Sequence, residues 1–215
     1  MRKEGRYHVV DTDRADNYKY LTASVVPRPI AWVATNAPDG SANLAPYSFF
    51  TVASPEPPTV LFSIGAQALK RSGEEKDTYT NLKRDRRLTI SQVERPTVEP
   101  MVGSAAEFIA NTDEFLEVGL GQDRMMPGFP PIVAGSSGAL FCEFLEFIAV
   151  GISYLALCEV KHYVFRDDIF DGRHVNYENV DVVARLGGPY YSALGDVLHL
   201  PRLEPDEVRS RYQRE

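Results

Sequence analysis

The run ALFCEFLEFIAVGISYLALCEV, residues 139–160, limits what this chain can fold into more than any other segment. It is long enough for a membrane-crossing helix, but Glu143, Glu146 and Glu159 interrupt it and Gly151 divides it. Two long strands, about 138–149 and 152–166, account for the pattern instead. In the second, Tyr154, Ala156, Cys158, Val160 and Val164 share one face at period two, with Glu159 and Lys161 on the other. Cys142 and Cys158 both lie in this stretch without a CxxC spacing. They read as reduced core thiols of a cytoplasmic protein rather than as a disulfide framework.

Further strands come before that pair. PIAWVAT and SANLAPYSFF are rich in apolar, β-branched and aromatic residues and flank NAPDG, whose Asp39-Gly40 suits a turn, so residues 29–50 read as a β-hairpin. PPTVLFSIG, 57–65, and RRLTISQV, 86–93, read as two more strands. Between them KDTYTNLKRD has helical spacing, which predicts a short helix from near Asp77 with Asp or Thr as its N-cap. Residues 94–137 are punctuated by Pro96, Pro100, Pro127, Pro130 and Pro131, with weakly helical pieces around 97–102 and 112–118. They predict an excursion from the sheet that covers a site. Strands in succession with few helices between them favour an antiparallel barrel in one domain, residues 1–215, over a doubly wound sheet.

The 215 residues carry 23 Lys and Arg against 30 Asp and Glu, a net charge of −7, which argues against a nucleic-acid or anionic-membrane surface. The polar N-terminus, MRKEGRYHVVDTDRAD, lacks the apolar segment of a secretory leader. GLGQDR from Gly119 lacks the third glycine of a dinucleotide fingerprint, and Gly135-Ser136-Ser137-Gly138 has the wrong spacing for a nucleophile elbow. His8, His162, His174 and His199 are scattered, so no metal site is expected and no nucleophile–base pair is assigned.

One constellation remains. VVPRPIAWV sets Arg28 between prolines before Trp32, NLAPYSFF combines Asn43, Ser48, Phe49 and Phe50, and KDTYTN supplies Lys76, Asp77, Thr78 and Asn81. A flavin mononucleotide needs all three chemistries. Its phosphate needs a cation, hydroxyls and backbone amides, its flat ring needs apolar walls, and its ring edge needs donors and acceptors. Taken singly, each residue has a plainer reading: Trp32, Phe49 and Phe50 as core aromatics, Lys76 as a solvated lysine, Arg28 as a carboxylate's partner.

The order of motifs decides between these readings. VVPRPIAWVATNAPDGSANLAPYSFF, SPEPPTVLFSIG and KDTYTNLKRD, followed by DEFLEVGL (113–120), PPIV (130–133) and VVARLGGPYYSALGDVLHLPRL (182–203), resemble the flavin reductase-like group of FMN-binding split-barrel proteins over about residues 18–203. The chain departs from the group at GSSGALFCEF. The resemblance implies a Greek-key split β-barrel with peripheral helices, a homodimer, and noncovalent FMN. It further implies that Arg28, Asn43, Ser48, Phe49 and Phe50 border the flavin and that Lys76, Asp77, Thr78 and Asn81 surround its ribityl phosphate end. Trp32 and Ser63 are weaker members, and Arg185 and Tyr190 are expected to reach the pocket from late in the chain.

The implied function is an FMN-dependent oxidoreductase, most simply an NAD(P)H-dependent flavin reductase acting on a small-molecule acceptor. The alternatives are a flavoprotein oxygenase, a reductase of another acceptor, or a non-catalytic FMN-binding electron carrier. In each case the flavin does the redox chemistry and the protein needs no catalytic triad. Arg28 or Arg185 would supply a positive field to the reduced ring. Met125-Met126-Pro127-Gly128-Phe129 reads either as a lid, which would favour a dedicated substrate pocket, or as a floppy surface loop.

Overall fold

The computed structural model describes residues 8–13, 16–65 and 75–212. Most of the N-terminal stretch read above for its lack of a leader therefore lies outside the described residues. After a short helix, α1 (Asn17–Ser24), come the strands β1 (Ala31–Asn36), β2 (Ala42–Tyr47), β3 (Phe50–Pro55) and β4 (Pro58–Gly65). Then follow α2 (Asp77–Asp85), β5 (Arg87–Ser91), α3 (Val98–Gly103), α4 (Glu114–Glu117) and two short strands, β6 (Gln122–Asp123) and β7 (Ile132–Val133). The long pair β8 (Gly138–Val150) and β9 (Ser153–Phe165) precedes a small hairpin, β10 (Val183–Arg185) and β11 (Tyr191–Ala193).

Seven strands form one antiparallel sheet in the order β2-β1-β5-β8-β9-β4-β3. The sheet curls until the Tyr47 ring on β2 meets Phe62 on β4, with centroids 5.1 Å apart, so side chains close the barrel where backbone pairing does not. Inside lie Ala31, Val33, Phe62, Ile64, Leu88, Ile90, Cys142, Ala156 and Cys158, with Leu82 and Tyr79 of α2 at one end. The two thiols are free and buried. The membrane-length apolar run is the β8–β9 hairpin, and among the described residues no helix is long and apolar enough to cross a membrane.

β1 is buried on both faces. Ala31 and Val33 point into the barrel, while Trp32 and Ala34 point outward into a second cluster with Leu44, Val93, Met101 and Phe115. The proline-rich excursion supplies the last two, so its apolar side chains cover the outer face of β1 and β2. The first hairpin turns at Gly40, whose φ of +88° suits the residue without a Cβ.

Two local expectations are corrected. α2 is preceded by Lys76, in extended conformation and with no side-chain cap; Asp77 is already in the first turn. Residues 125–129 are no floppy loop, because Met126 and Phe129 pack on Ile132, Ala139 and Phe141, with the Phe129 ring edge-on to Phe141 at 5.4 Å.

Candidate functional site

Two cavities are lined by adjacent segments, one by β2 and the other by the residues that follow it. The larger, about 680 Å³, is lined by Arg28, Ser48, Phe49, Phe50, Leu61 and Ser63 with apolar residues of α1 and the β8–β9 hairpin. The smaller, about 200 Å³, is lined by Asn43, Ala45, Pro46, Tyr47, Lys76, Asp77, Thr78, residues 104–108 and Glu114. One wall ends at Tyr47 and the other begins at Ser48. A small-molecule site usually encloses about 300–1,000 Å³, so the larger chamber suits a flat ring and the smaller a slender polar tail.

In the larger chamber Arg28 is 6% exposed. Its Nη1 donates to the carbonyls of Thr22 (2.5 Å) and Val25 (2.7 Å), and its Nη2 donates to that of Leu186 (2.8 Å). The guanidinium also lies 5.8 Å from the Phe49 ring centroid. Burial, and to a lesser degree the neighbouring Arg185, lower its pKa, and Tyr18 opposes them. Its Nε is buried with no partner among the described residues. Arg185 does not reach the chamber with its side chain, which donates to the Tyr191 hydroxyl and the Gly188 carbonyl, and Tyr190 lies exposed.

A buried polar network walls the smaller chamber. Glu114 accepts from the Leu44 amide (2.8 Å) and from Asn43 Nδ2 (3.0 Å). Asn43 Oδ1 accepts from the hydroxyls of Thr78 (2.9 Å) and Thr35 (3.1 Å), and Thr35 in turn accepts from Asn81 Nδ2 (3.0 Å). Desolvation raises the Glu114 carboxyl to about 7, against the pull of its hydrogen bonds. Burial raises the Tyr47 phenol, and burial lowers the Lys76 ammonium while nearby Glu107 opposes it. Glu107 Oε2 is the second buried atom without a partner among the described residues.

Of the residues expected around a flavin, the fold gathers Arg28, Ser48, Phe49, Phe50 and Ser63 in one chamber and Asn43, Lys76, Asp77 and Thr78 in the other. Trp32 lines neither. It is fully buried, and its Nε1 donates to Ser104 Oγ at 2.9 Å. Asn81 also lies behind the wall, tied to Thr35 and accepting from Arg84 Nη1. Glu107 and Glu114 were not foreseen. Glu114 lies inside the DEFLEVGL motif, but nothing in that string marks one of its acids as buried.

Arg28, which lines the larger chamber, brings a cationic donor there, and Glu107, which lines the smaller, an acceptor; Arg28 Nε and Glu107 Oε2 are themselves buried without a partner among the described residues. That donor set fits a ring whose edge accepts hydrogen bonds and carries negative charge when reduced, joined to a tail of hydroxyls.

The model of the flavin reductase like domain matches residues 23–181. A protein of Deinococcus radiodurans is 35% identical over 207 residues, covering 91% of this chain and 88% of its own. A protein of Aquifex aeolicus is 31% identical over 184 residues, covering 85% and 92%. Among solved structures, nitrilotriacetate monooxygenase component B from Bacillus cereus superposes with a TM-score of 0.84 at 24% identity, over 91% of this chain and all of that one. The 2-nitrobenzoate 2-nitroreductase of Pseudomonas fluorescens gives 0.81 at 25% identity, over 92% and 96%. The sheet described above is the split barrel of these neighbours.

Proposed function

The chain belongs to the flavin reductase-like family, and from that premise we propose that it is an FMN-dependent oxidoreductase that draws electrons from NAD(P)H. The observation that carries the reading is a pair of chambers lined by the consecutive residues Tyr47 and Ser48, with a buried guanidinium at one and Lys76 at the other. When bound, the flavin supplies the hydride and electron chemistry. Phe49 and Phe50 give its ring apolar walls, and the hydroxyls of Ser48 and Ser63 meet its polar edge. Arg28, held in place by three carbonyls, sets a positive potential that favours negative charge on the ring. Lys76 is the cation for the phosphate.

The outer rim of the larger chamber is apolar and open. Leu21, Val25, Phe49 and Val150 are each more than two-fifths exposed, and β3 is an edge strand with an exposed Val52. A second copy of the chain covering this rim accounts for such a surface.

Anaerobic mixing with NADH or NADPH tests the proposal. Purified protein should bind FMN, and one of the two nucleotides should bleach its absorbance rapidly. The 125–129 segment packs away from both chambers, which favours an accessible ring edge over a closed substrate pocket and keeps a carrier role as the second reading. A carrier would resist both nucleotides yet exchange electrons with a protein donor.

A further inference from the structure

We propose that two copies of the chain exchange their C-terminal arms, residues 194–212, so that each arm lies across the apolar rim of the partner's larger chamber. The inference rests on the second copy proposed above and names the segment that makes the contact. It does not depend on which flavin the chamber takes.

The arm starts where the late hairpin ends. The Leu194 amide donates to the Val182 carbonyl, and after it no backbone hydrogen bond joins residues 195–203 to the rest of the described chain. That stretch has no regular structure and leads into a last helix, α5 (Pro205–Tyr212), which buries none of its residues. A helix of eight residues is marginal in water without packing, and an irregular stretch has still less to hold it. Yet the arm is not polar, as a solvated tail would be. Leu198 is 77% and Leu200 83% exposed, and Val197, Val208 and Tyr212 are exposed as well. Such side chains belong against a surface that the single chain does not give them.

The arm's own chamber is badly placed to receive it. The hairpin meets α1 and Arg28 with its turn end, through Gly187 and Arg185, whereas the arm leaves from the open end, beside Val182 and Val93. It sets off away from the rim of its own chain.

The rim of a second copy has the matching chemistry. Beside the lining residues Thr51 and Ser153 stand the exposed Val52 and Ile152, which carry the apolar surface from the chamber mouth onto β3 and the tip of the β8–β9 hairpin. β3 pairs with β4 alone in the sheet, so its other edge offers unpaired backbone groups to a stretch whose own are unpaired. At roughly 70–100 Å² each, the exposed apolar side chains of arm and rim come to on the order of 1,000 Å² per copy, where a stable interface needs about 800 Å² a side. A reciprocal exchange about a two-fold axis covers both surfaces on both copies and leaves none for a third.

Two measurements test the proposal. In sedimentation, the wild type should be a dimer, and Leu198→Asp with Leu200→Asp should raise its dissociation constant about a hundredfold or more. Both side chains are largely exposed in the single chain, so the circular dichroism should not change. Second, Leu200→p-benzoylphenylalanine places a photo-cross-linker on the arm. In dimers reassembled from nitrogen-15-labelled and unlabelled chains, it should yield mixed-isotope peptide pairs with residues 21–28, 49–55 or 148–155. A monomeric wild type would overturn the second copy and the exchange together. A dimer indifferent to the double variant, or one whose cross-links form anywhere but on the partner's rim, would overturn the arm exchange alone.

Discussion

Arg28 and Arg185 exchange both backbone hydrogen bonds across an isolated antiparallel bridge, with N···O distances of 3.0 and 2.8 Å. The bridge lays the late hairpin beside the Pro-Arg-Pro loop, and the Arg28 side chain completes the tie by reaching the Leu186 carbonyl. Gly187, beside it, lies where a Cβ would be 3.5 Å from the Ala23 backbone, so the hairpin approaches α1 closely. Arg28 therefore fastens three segments as well as facing the larger chamber.

Replacing Arg28 with alanine leaves the Thr22, Val25 and Leu186 carbonyls without their donor. We expect a stability loss of about 2–4 kcal/mol in urea unfolding. Arg28→Lys should recover only part of it, since one ammonium cannot reproduce the fork that reaches both sides. A loss under about 0.5 kcal/mol would show that these bonds are readily replaced by water.

Trp32→Phe should separate packing from binding. The indole N–H to Ser104 is lost, at about 1 kcal/mol of stability, while FMN affinity stays within twofold because Trp32 lines neither chamber. Calorimetry and a flavin titration on the same preparation check both halves.

Glu114 gives stability a pH dependence of definite sign. Its carboxyl sits at about 7 in the fold against an ordinary 4.5, so its contribution is fully present below about 4.5 and is lost as pH rises through about 7. The loss is on the order of 3 kcal/mol. The difference in unfolding free energy between wild type and Glu114→Gln should therefore change between pH 5 and 8, with the variant relatively favoured at pH 8. A pH-independent difference would mean that the carboxylate is solvated.

Burial pushes the Cys142 thiol up to about 12, and desolvation raises the Cys158 thiol well above its ordinary value, helped by its neighbour. Neither should react with a thiol-specific disulfide reagent at pH 8 until the protein is denatured, when both should react.

Much of the barrel was legible because alternation survives in single strands. Ala156, Cys158 and Val160 are buried in turn, as the period-two pattern of β9 required, but the ladder shifts register between Phe141 and Cys142, and Val164, expected on the same face, packs instead with Ala139 and Phe141. Trp32 shows where that reasoning stops. Its strand is apolar on both faces, and which face meets the barrel depends on the distant excursion that covers the other. The gathering of Asn43 and Thr78 was carried by the family resemblance. The carboxyl that joins their network, Glu114 on a four-residue helix, was not, because its burial follows from tertiary packing alone. Arg28 was foreseen at the site, but its ties to carbonyls could not be, since backbone acceptors leave no trace in residue identity.

Tyr47 and Ser48 are consecutive, so neighbouring positions of one segment line the two chambers. Inserting or deleting a residue there would not enlarge one space at the other's expense. It would invert which side chains face each, exchanging aromatic for hydroxyl on both sides at once. Ring and tail specificity in this chain are therefore bound to evolve together.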